Sequence, residues 1–155
     1  MSFLQNKRIL ITGVLSNRSI AYGVAKACHA QGAQLAFTYQ NDRFEERIRD
    51  LAKAFDSAIC LPCDVSEDSQ IDGLAEKLAG HWAQLDGLVH AIAFAPREAI
   101  AGDFLEGLSR EGFRIAHDVS SYSLPALAKA FKPLMEGHDS SIVALTYHGA
   151  SKVVP

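Results

Sequence analysis

The sequence predicts an α/β fold with a doubly wound parallel sheet, and three observations indicate it. Apolar runs of strand length alternate with segments of helical periodicity from one end of the chain to the other. The runs are continuous, which is typical of strands that are buried on both faces. Such alternation favours right-handed crossovers. A proline in the third run places that strand at a sheet edge, in agreement with the strand order 3-2-1-4-5.

The first half of the chain supplies three predicted strands and two predicted helices. The strands are Arg8–Thr12, Leu35–Tyr39 and Ala58–Cys63, and the third contains Pro62, which cannot donate to a central ladder. Apolar residues at helical spacing lie between them: Ile20, Val24, Ala27 and Cys28, followed by Phe44, Ile48, Leu51 and Phe55. Gly32 is a stop signal for the first helix, and Asp42 with Glu45 resembles a capping box for the second.

The second half continues the pattern with two more strands and two more helices. Ser66, Glu67 and Asp68 open a helix whose apolar stripe is Ile71, Leu74, Leu78 and Trp82. The fourth strand is Gly87–Ile92 and the fifth is Ser141–Tyr147. Between them we expect a long helix, Ser109–Phe131, with Ile115, Val119 and Tyr122 on one face, that tolerates Pro125 or kinks there. No linker or repeat interrupts residues 1–155, which indicates one domain.

Composition and charge exclude several classes of protein. The 155 residues are 48% hydrophobic and 21% charged, which excludes a disordered or low-complexity chain. A net charge of −3 provides no basic surface for nucleic acid. No apolar run approaches the about 20 residues that span a bilayer, and the N-terminus lacks the layout of a signal peptide. Three cysteines, an odd number, favour a reducing compartment, so we predict a cytoplasmic protein.

The turn after the first strand is the first candidate binding element. Ligands of doubly wound sheets bind outside the carboxyl ends of the strands, and a helix that begins there attracts a pyrophosphate. Gly13 allows a tight turn, and Ser19 can cap the helix and donate its hydroxyl to a phosphate. Because the usual G-x-G-x-x-G spacing is absent, an ordinary strand-to-helix turn remains an equal alternative.

The ends of the second and third strands are the next candidates. Gln40 follows the second strand, where nucleotide-binding sheets often hold the adenosine ribose, and Arg43 keeps NADPH possible beside NADH. The residues alone therefore do not choose between the two cofactors. Asp64 and Val65 follow the third strand in a position to meet an adenine edge. The alternatives are a polar surface residue at Gln40 and a simple turn at Asp64.

Two other chemistries are weighed against nucleotide binding. Cys60 and Cys63 have the spacing of a redox dithiol, but Cys60 falls inside a strand and acidic residues follow Cys63. Cys60 therefore lacks the helix N-terminus that lowers the pKa of a redox thiol, and the acidic residues raise the pKa of Cys63, so we do not favour this interpretation. The six histidines show no ligand spacing with cysteines or carboxylates, so we predict no metal site.

Five segments together resemble one family. They are LITGVLSNRSIAYGVAKA from Leu10, LAFTYQND from Leu35, CDVSED from Cys63, LDGLVHAIAFAP from Leu85 and REGFRIAHDVSSYS from Arg110. In these segments the chain is similar to the bacterial NADH-dependent enoyl-acyl-carrier-protein reductases, a divergent branch of the short-chain dehydrogenases/reductases. The resemblance extends from Ser2 to Pro155 and implies a Rossmann-type sheet.

The resemblance also implies roles for single residues. It implies cofactor binding by Gly13, Ser19, Ile20, Gln40, Asp64, Val65 and Ile92. It implies that Ala95 contacts the substrate and that Tyr147 is an active-site tyrosine lining the acyl pocket. Ala91 and Ala93 stand where the family commonly has serine and glycine. A methyl group at Ala93 is expected to intrude where glycine lets a ligand approach the backbone.

The family resemblance implies hydride transfer from NADH to a trans-2-enoyl thioester carried by acyl carrier protein. The family's proton-donating tyrosine and its cofactor-binding lysine match no residue up to Pro155. We therefore expect a dinucleotide-binding domain that is incomplete after strand five, inactive as residues 1–155, and derived from a homo-oligomeric enzyme. The alternative is a non-catalytic nucleotide-binding or interaction module.

Overall fold

The computed structural model describes residues 2–152 and contains one five-stranded parallel sheet. Its order, β3-β2-β1-β4-β5, confirms the order predicted from the sequence. The strands are β1 Arg8–Ile11, β2 Gln34–Tyr39, β3 Cys60–Pro62, β4 Gly87–His90 and β5 Ser141–Ala144. β3 pairs with β2 alone, so Pro62 lies at the sheet edge as predicted.

Seven α-helices connect the strands of the described chain. They are α1 Ile20–Ala30, α2 Asp42–Lys53, α3 Asp68–Ala79, α4 Arg97–Ile100, α5 Phe104–Gly107, α6 Arg110–His117 and α7 Ser123–Met135. A π-helix, Asp118–Tyr122, joins α6 to α7, and a 3₁₀ turn covers His148–Ala150. The sequence did not predict α4 and α5, because four residues are too few to show helical periodicity. None of the helices in residues 2–152 is long and apolar enough to cross a membrane.

The sheet separates two apolar cores, and the residues of β1 alternate between them. Ile9 and Ile11 belong to the core that contains residues of α1 and α2, among them Ala25 and Ile48. Leu10 belongs to the opposite core, together with residues of α3 and α7. All of these side chains are buried, which explains why the sequence of β1 is continuously apolar.

The starts of two helices differ from the prediction. Asn41 caps α2 by accepting a hydrogen bond from the Arg43 amide at 3.2 Å, so the Asp42–Glu45 capping box was wrong. α3 begins at Asp68, and Ser66 binds the carboxylate of Asp64 instead of capping the helix. At α2 a neighbouring residue provides the cap, and at α3 the expected cap residue bonds to a nearby carboxylate. Sequence spacing does not determine which of several nearby polar groups forms the hydrogen bond.

The long helix expected between the last two strands is irregular. The π-helix occupies the turn just before Pro125, whose missing N–H and bulky ring disturb hydrogen bonding to the preceding turn. Beyond that turn α7 continues past Phe131 to Met135. The single helix predicted from the sequence is therefore interrupted by a π-helix, one turn ahead of the proline.

β5 forms the second edge of the sheet. In residues 2–152 it pairs with β4 and with no other strand. Its apolar residues remain accessible, with Ile142 at 41% and Val143 at 52% of full exposure. An open apolar edge carries unpaired backbone groups that can pair with another chain.

We predict that a protein limited to residues 1–155 self-associates through β5. Val143→Lys should reduce the association, because a charge on an edge strand opposes edge-to-edge pairing. Phe3→Lys, at a residue that is 77% exposed and outside the sheet, is the matched control. Light scattering measures both, and a monodisperse wild-type monomer at high concentration would contradict the prediction.

Candidate functional site

A large concave surface lies at the carboxyl ends of β1 to β4. It is a cavity of about 620 Å³ that residues of α6 and the π-helix also line. Five residues predicted to bind a cofactor line it together: Gly13, Gln40, Asp64, Val65 and Ile92. The crevice thus lies where ligands of doubly wound sheets bind, beside the switch between β1 and β4.

The floor of the cavity depends on a close approach between the ends of β1 and β4. Gly13 has φ +78°, and a Cβ atom placed on it would overlap the carbonyl oxygen of Ala91. The Thr12 hydroxyl donates to the Val89 carbonyl at 2.9 Å and accepts from the Ala91 amide at 3.3 Å. Glycine is required at this position both for its backbone conformation and for the neighbouring strand.

A polar pair occupies the end of the cavity next to β2 and β3. The Gln40 amide donates to Asp64 Oδ2 at 3.0 Å, and Asp64 Oδ1 accepts from the amide and the hydroxyl of Ser66 at 3.0 and 2.7 Å. Partial burial favours a higher pKa for Asp64, but these hydrogen bonds outweigh it and lower the pKa below its usual value. Asp64 is therefore a fixed carboxylate at neutral pH.

The first turn of α1 has no side-chain cap. Ser19 occupies the N-cap position, but its hydroxyl donates to the Ser16 carbonyl at 2.5 Å and makes no cap hydrogen bond. The predicted side-chain cap was therefore wrong. The first turn also contains no acidic residue, whereas α2 has an Asn41 cap and two acids. Amides without a side-chain cap at a helix N-terminus can donate hydrogen bonds to a bound anion.

The side of the cavity next to β4 and the helices combines apolar and charged residues. Ile92, Ile115 of α6 and Val119 of the π-helix line it and are partly buried, and Arg114 and Asp118 line it as well. The sequence placed Ile115 and Val119 on the apolar stripe of a helix without assigning them to a site. Periodicity identifies a buried face but does not distinguish a core contact from a cavity wall.

A second, apolar cleft of about 520 Å³ lies beyond the segment that follows β4. Ala95 lines this cleft with Ile100 and Phe113, whereas Ala93 and Phe94 line both the cleft and the main cavity. Ala93 does not adopt the left-handed conformation that favours glycine. Its backbone thus accepts a side chain, and the methyl group projects at the junction of the two spaces.

Three predicted site residues lie outside the linings of both cavities. Ser19 and Ile20 are in the first turn of α1, and Tyr147 follows β5 with 68% of its surface exposed. The described residues therefore bring together the predicted adenosine side of the site and Ile92, but not Tyr147.

The cysteines do not form a redox pair. Cys60 belongs to one apolar core and Cys63 to the other, and both are free and buried. Burial raises the pKa of both thiols, that of Cys63 to about 12, with a further contribution from Asp64. A thiolate at neutral pH is therefore disfavoured at both positions.

The fold and the crevice are those of the doubly wound dinucleotide-binding class of α/β proteins. A family profile described as "Enoyl-(Acyl carrier protein) reductase" matches residues 13–155. The chain therefore belongs to the enoyl-acyl-carrier-protein reductase family, as the sequence motifs predicted.

Curated relatives and solved structures agree with this family. The chain is 57% identical over 155 residues to the NADH-dependent enoyl-acyl-carrier-protein reductase FabI of Neisseria meningitidis, and 48% identical to that of Escherichia coli. Each alignment covers all of this chain and 59% of the relative, so the chain spans about three fifths of their length.

Two crystal structures are similar to the chain over nearly its whole length. The reductase of Aquifex aeolicus superposes with a TM-score of 0.94 at 53% identity, covering 98% of this chain and 60% of that protein. The reductase of Anaplasma phagocytophilum, solved in complex with NAD, gives 0.93 at 37% identity, covering 100% and 59%.

We predict that Gly13→Ala destabilises the fold by roughly 2–6 kcal/mol, because it adds both backbone strain and overlap with Ala91. Gly73→Ala is the control, since its Cβ meets nothing within 4 Å in the middle of α3 and should be neutral or stabilising. Urea unfolding measures both. Equal stability of the two variants would show that the close approach of Ala91 does not require glycine at position 13.

We also predict that Cys63 resists alkylation at neutral pH. Because its pKa is raised to about 12, its thiolate fraction should increase about tenfold per pH unit up to that value. Peptide mapping after iodoacetamide treatment of folded protein should show slow, pH-dependent labelling. The urea-unfolded chain, with an ordinary thiol pKa, is the control. Equally fast labelling of both forms at pH 7.5 would contradict the buried environment.

Proposed function

We propose that the protein acts as an NADH-dependent enoyl-acyl-carrier-protein reductase of fatty acid biosynthesis. One observation carries this proposal: all 155 residues align with relatives that bear this name, at 57% identity to the Neisseria protein. The chain spans only about three fifths of the length of those relatives, so its membership of the family does not by itself establish the activity.

The chemistry of the cavity fits a dinucleotide. Its volume of about 620 Å³ is in the range of cofactor sites. A fixed carboxylate and an amide at one end suit the polar edges of adenosine, while the apolar side chains of Ile92, Ile115 and Val119 suit contact with a nicotinamide ring. The reductase of Anaplasma phagocytophilum, which has the same fold, was crystallised in complex with NAD.

Different residues of this chain would bind different parts of the cofactor. We propose that Gln40 holds the adenosine ribose and that Asp64 and Val65 hold the adenine. Gly13, Ser19 and Ile20 would hold the pyrophosphate and the adjacent ribose, supported by the uncapped first turn of α1. Ile92 would lie along the ribose on the nicotinamide side.

The reaction needs a hydride, a place for the acyl chain and a proton. When bound, NADH supplies the hydride that adds to the β-carbon of the trans-2-enoyl thioester. Ala95, in the apolar cleft, would contact the substrate, and Tyr147 would line the acyl pocket and assist the developing enolate. The chain's own contribution is orientation and exclusion of water, because the resemblance assigns the main proton donor to a position beyond Pro155.

We propose a substrate carried by acyl carrier protein, in keeping with the names of the relatives as enoyl-acyl-carrier-protein reductases. We also propose a homo-oligomeric assembly and a cytoplasmic location. Residues 1–155 would form a single dinucleotide-binding domain within it.

We predict weak NADH binding by the 155-residue chain, with NMR shift changes concentrated near Gly13, Gln40 and Asp64. Asp64→Ala should weaken binding by about tenfold or more, since it removes a charged hydrogen-bond acceptor. Asp72→Ala, on the exposed face of α3, is the control and should leave binding unchanged. Shift changes confined to the region of Tyr147 would contradict the proposed site.

We further predict that the 155-residue chain alone does not reduce enoyl thioesters, because the family's proton-donating tyrosine and cofactor-binding lysine match none of its residues. The measurement is the loss of NADH absorbance in the presence of a trans-2-enoyl thioester. Thioester-dependent NADH oxidation by this chain would contradict the prediction.

A further inference from the structure

The segment that follows β4, residues 91–96, separates the main cavity from the apolar cleft. Ala93 and Phe94 line both spaces, so the path of this backbone sets the shape of each. The segment lies beyond the end of β4 at His90 and outside the sheet ladder. Its backbone polar groups therefore need partners from elsewhere in the molecule.

One hydroxyl group provides both partners for Phe94. The Phe94 amide donates to Ser120 Oγ at 2.9 Å, and the same hydroxyl donates to the Phe94 carbonyl at 3.0 Å. A single serine side chain thus replaces the missing strand neighbour at this residue. A hydroxyl can make both bonds because its one oxygen both donates and accepts.

Ser120 is in turn positioned by a buried contact between the helix and the sheet. Ser120 lies in the π-helix, and the residue that follows this helix, Ser123, is fully buried beside His90 at the end of β4. The Ser123 hydroxyl donates to the Val119 carbonyl at 2.6 Å, so its only hydrogen is used. It must then accept from His90 Nε2–H, at 2.8 Å.

Two side-chain contacts hold this part of the chain against the helix, one at His90 and one at Phe94. His90 holds the π-helix against the end of β4, and Ser120 of that helix holds Phe94 four residues further along. A π-helix places its side chains differently from a regular helix, and such turns are frequent at functional sites. The π-helical turn here presents Ser120 to the backbone of Phe94.

We propose that Ser120 is a positioning residue that holds the segment 91–96 in the shape required by the nicotinamide half of the proposed cofactor site. The inference rests on the proposed function, because it assigns the role within that same site. Ser120 acts through Phe94 and not by contact with the cofactor. Its influence should be confined to one half of the cavity, because the Gln40–Asp64 pair lies at the other end, beside β2 and β3.

This separation makes the proposal testable with two ligands. ADP contains the adenosine and pyrophosphate portion alone, whereas NADH extends to the β4 side of the cavity. Ser120→Ala should weaken NADH binding by about threefold to tenfold, as expected for the loss of hydrogen bonds that support a binding segment, and should leave ADP binding unchanged. Ser120→Thr, which keeps the hydroxyl, should restore the affinity for NADH.

The experiment uses the 155-residue chain and NMR titrations with NADH and with ADP. Amide exchange of Phe94 reports directly on the hydrogen bonds and should be faster in Ser120→Ala than in the wild type. Ser121→Ala is the matched control: Ser121 is exposed in the same helical turn, and its side chain makes none of the hydrogen bonds described above. It should change neither affinity nor Phe94 exchange.

The outcomes separate the inference from the proposed function. Faster Phe94 exchange with unchanged NADH affinity would overturn the positioning role. Equal weakening of NADH and ADP would also overturn it, because that result indicates a general loss of structure, and so would failure of Ser120→Thr to restore binding. If the wild-type chain binds neither ligand, the proposed function fails, and the inference that rests on it fails with it.

Discussion

The close approach of β1 and β4 at Gly13 and Ala91 is the constraint on which the rest of the site depends. Thr12 ties the two strand ends together through its hydroxyl, and the Ala91 carbonyl occupies the space that a side chain at Gly13 would need. The chain leaves β1 toward α1 and leaves β4 toward residues 91–96, in opposite directions from this point. The crevice between them is therefore a consequence of strand order and of a single glycine.

The two ends of the crevice are stabilised by different means. At the β2 and β3 end, short-range polar contacts fix Asp64 as a carboxylate and hold the Gln40 amide against it. At the β4 end, apolar side chains contribute to the wall, and the hydroxyl groups of Ser120 and Ser123 connect the end of β4 and the segment after it to the helix. The fixed negative charge of Asp64 therefore lies at one end of the crevice, away from the apolar residues at the other.

The sheet also determines which alternative chemistries the chain can support. Cys60 and Cys63 are close in sequence but belong to opposite cores, because a strand directs successive side chains to its two faces. Burial then raises the pKa of both thiols. The C-x-x-C spacing therefore reflects two separate apolar environments and not a redox dithiol.

The sequence by itself determined the class of fold, the strand order and four of the five predicted residues that line the cavity together, since continuous apolar runs, Pro62 and residues at strand ends are local signals. It also carried the motifs of the family, and that resemblance alone implied the fifth residue, Ile92. Only the tertiary structure decided that Asn41 caps α2, that the Ser19 hydroxyl bonds to Ser16, and that Ile115 and Val119 form a wall of the crevice. Polar side chains near a helix start have several partners within reach, and an apolar stripe looks the same whether it meets a core or a cavity. The partnership of Ser120 with Phe94, 26 residues apart, likewise depends on a π-helix that no sequence period reveals, because long-range contacts are set by packing and not by spacing.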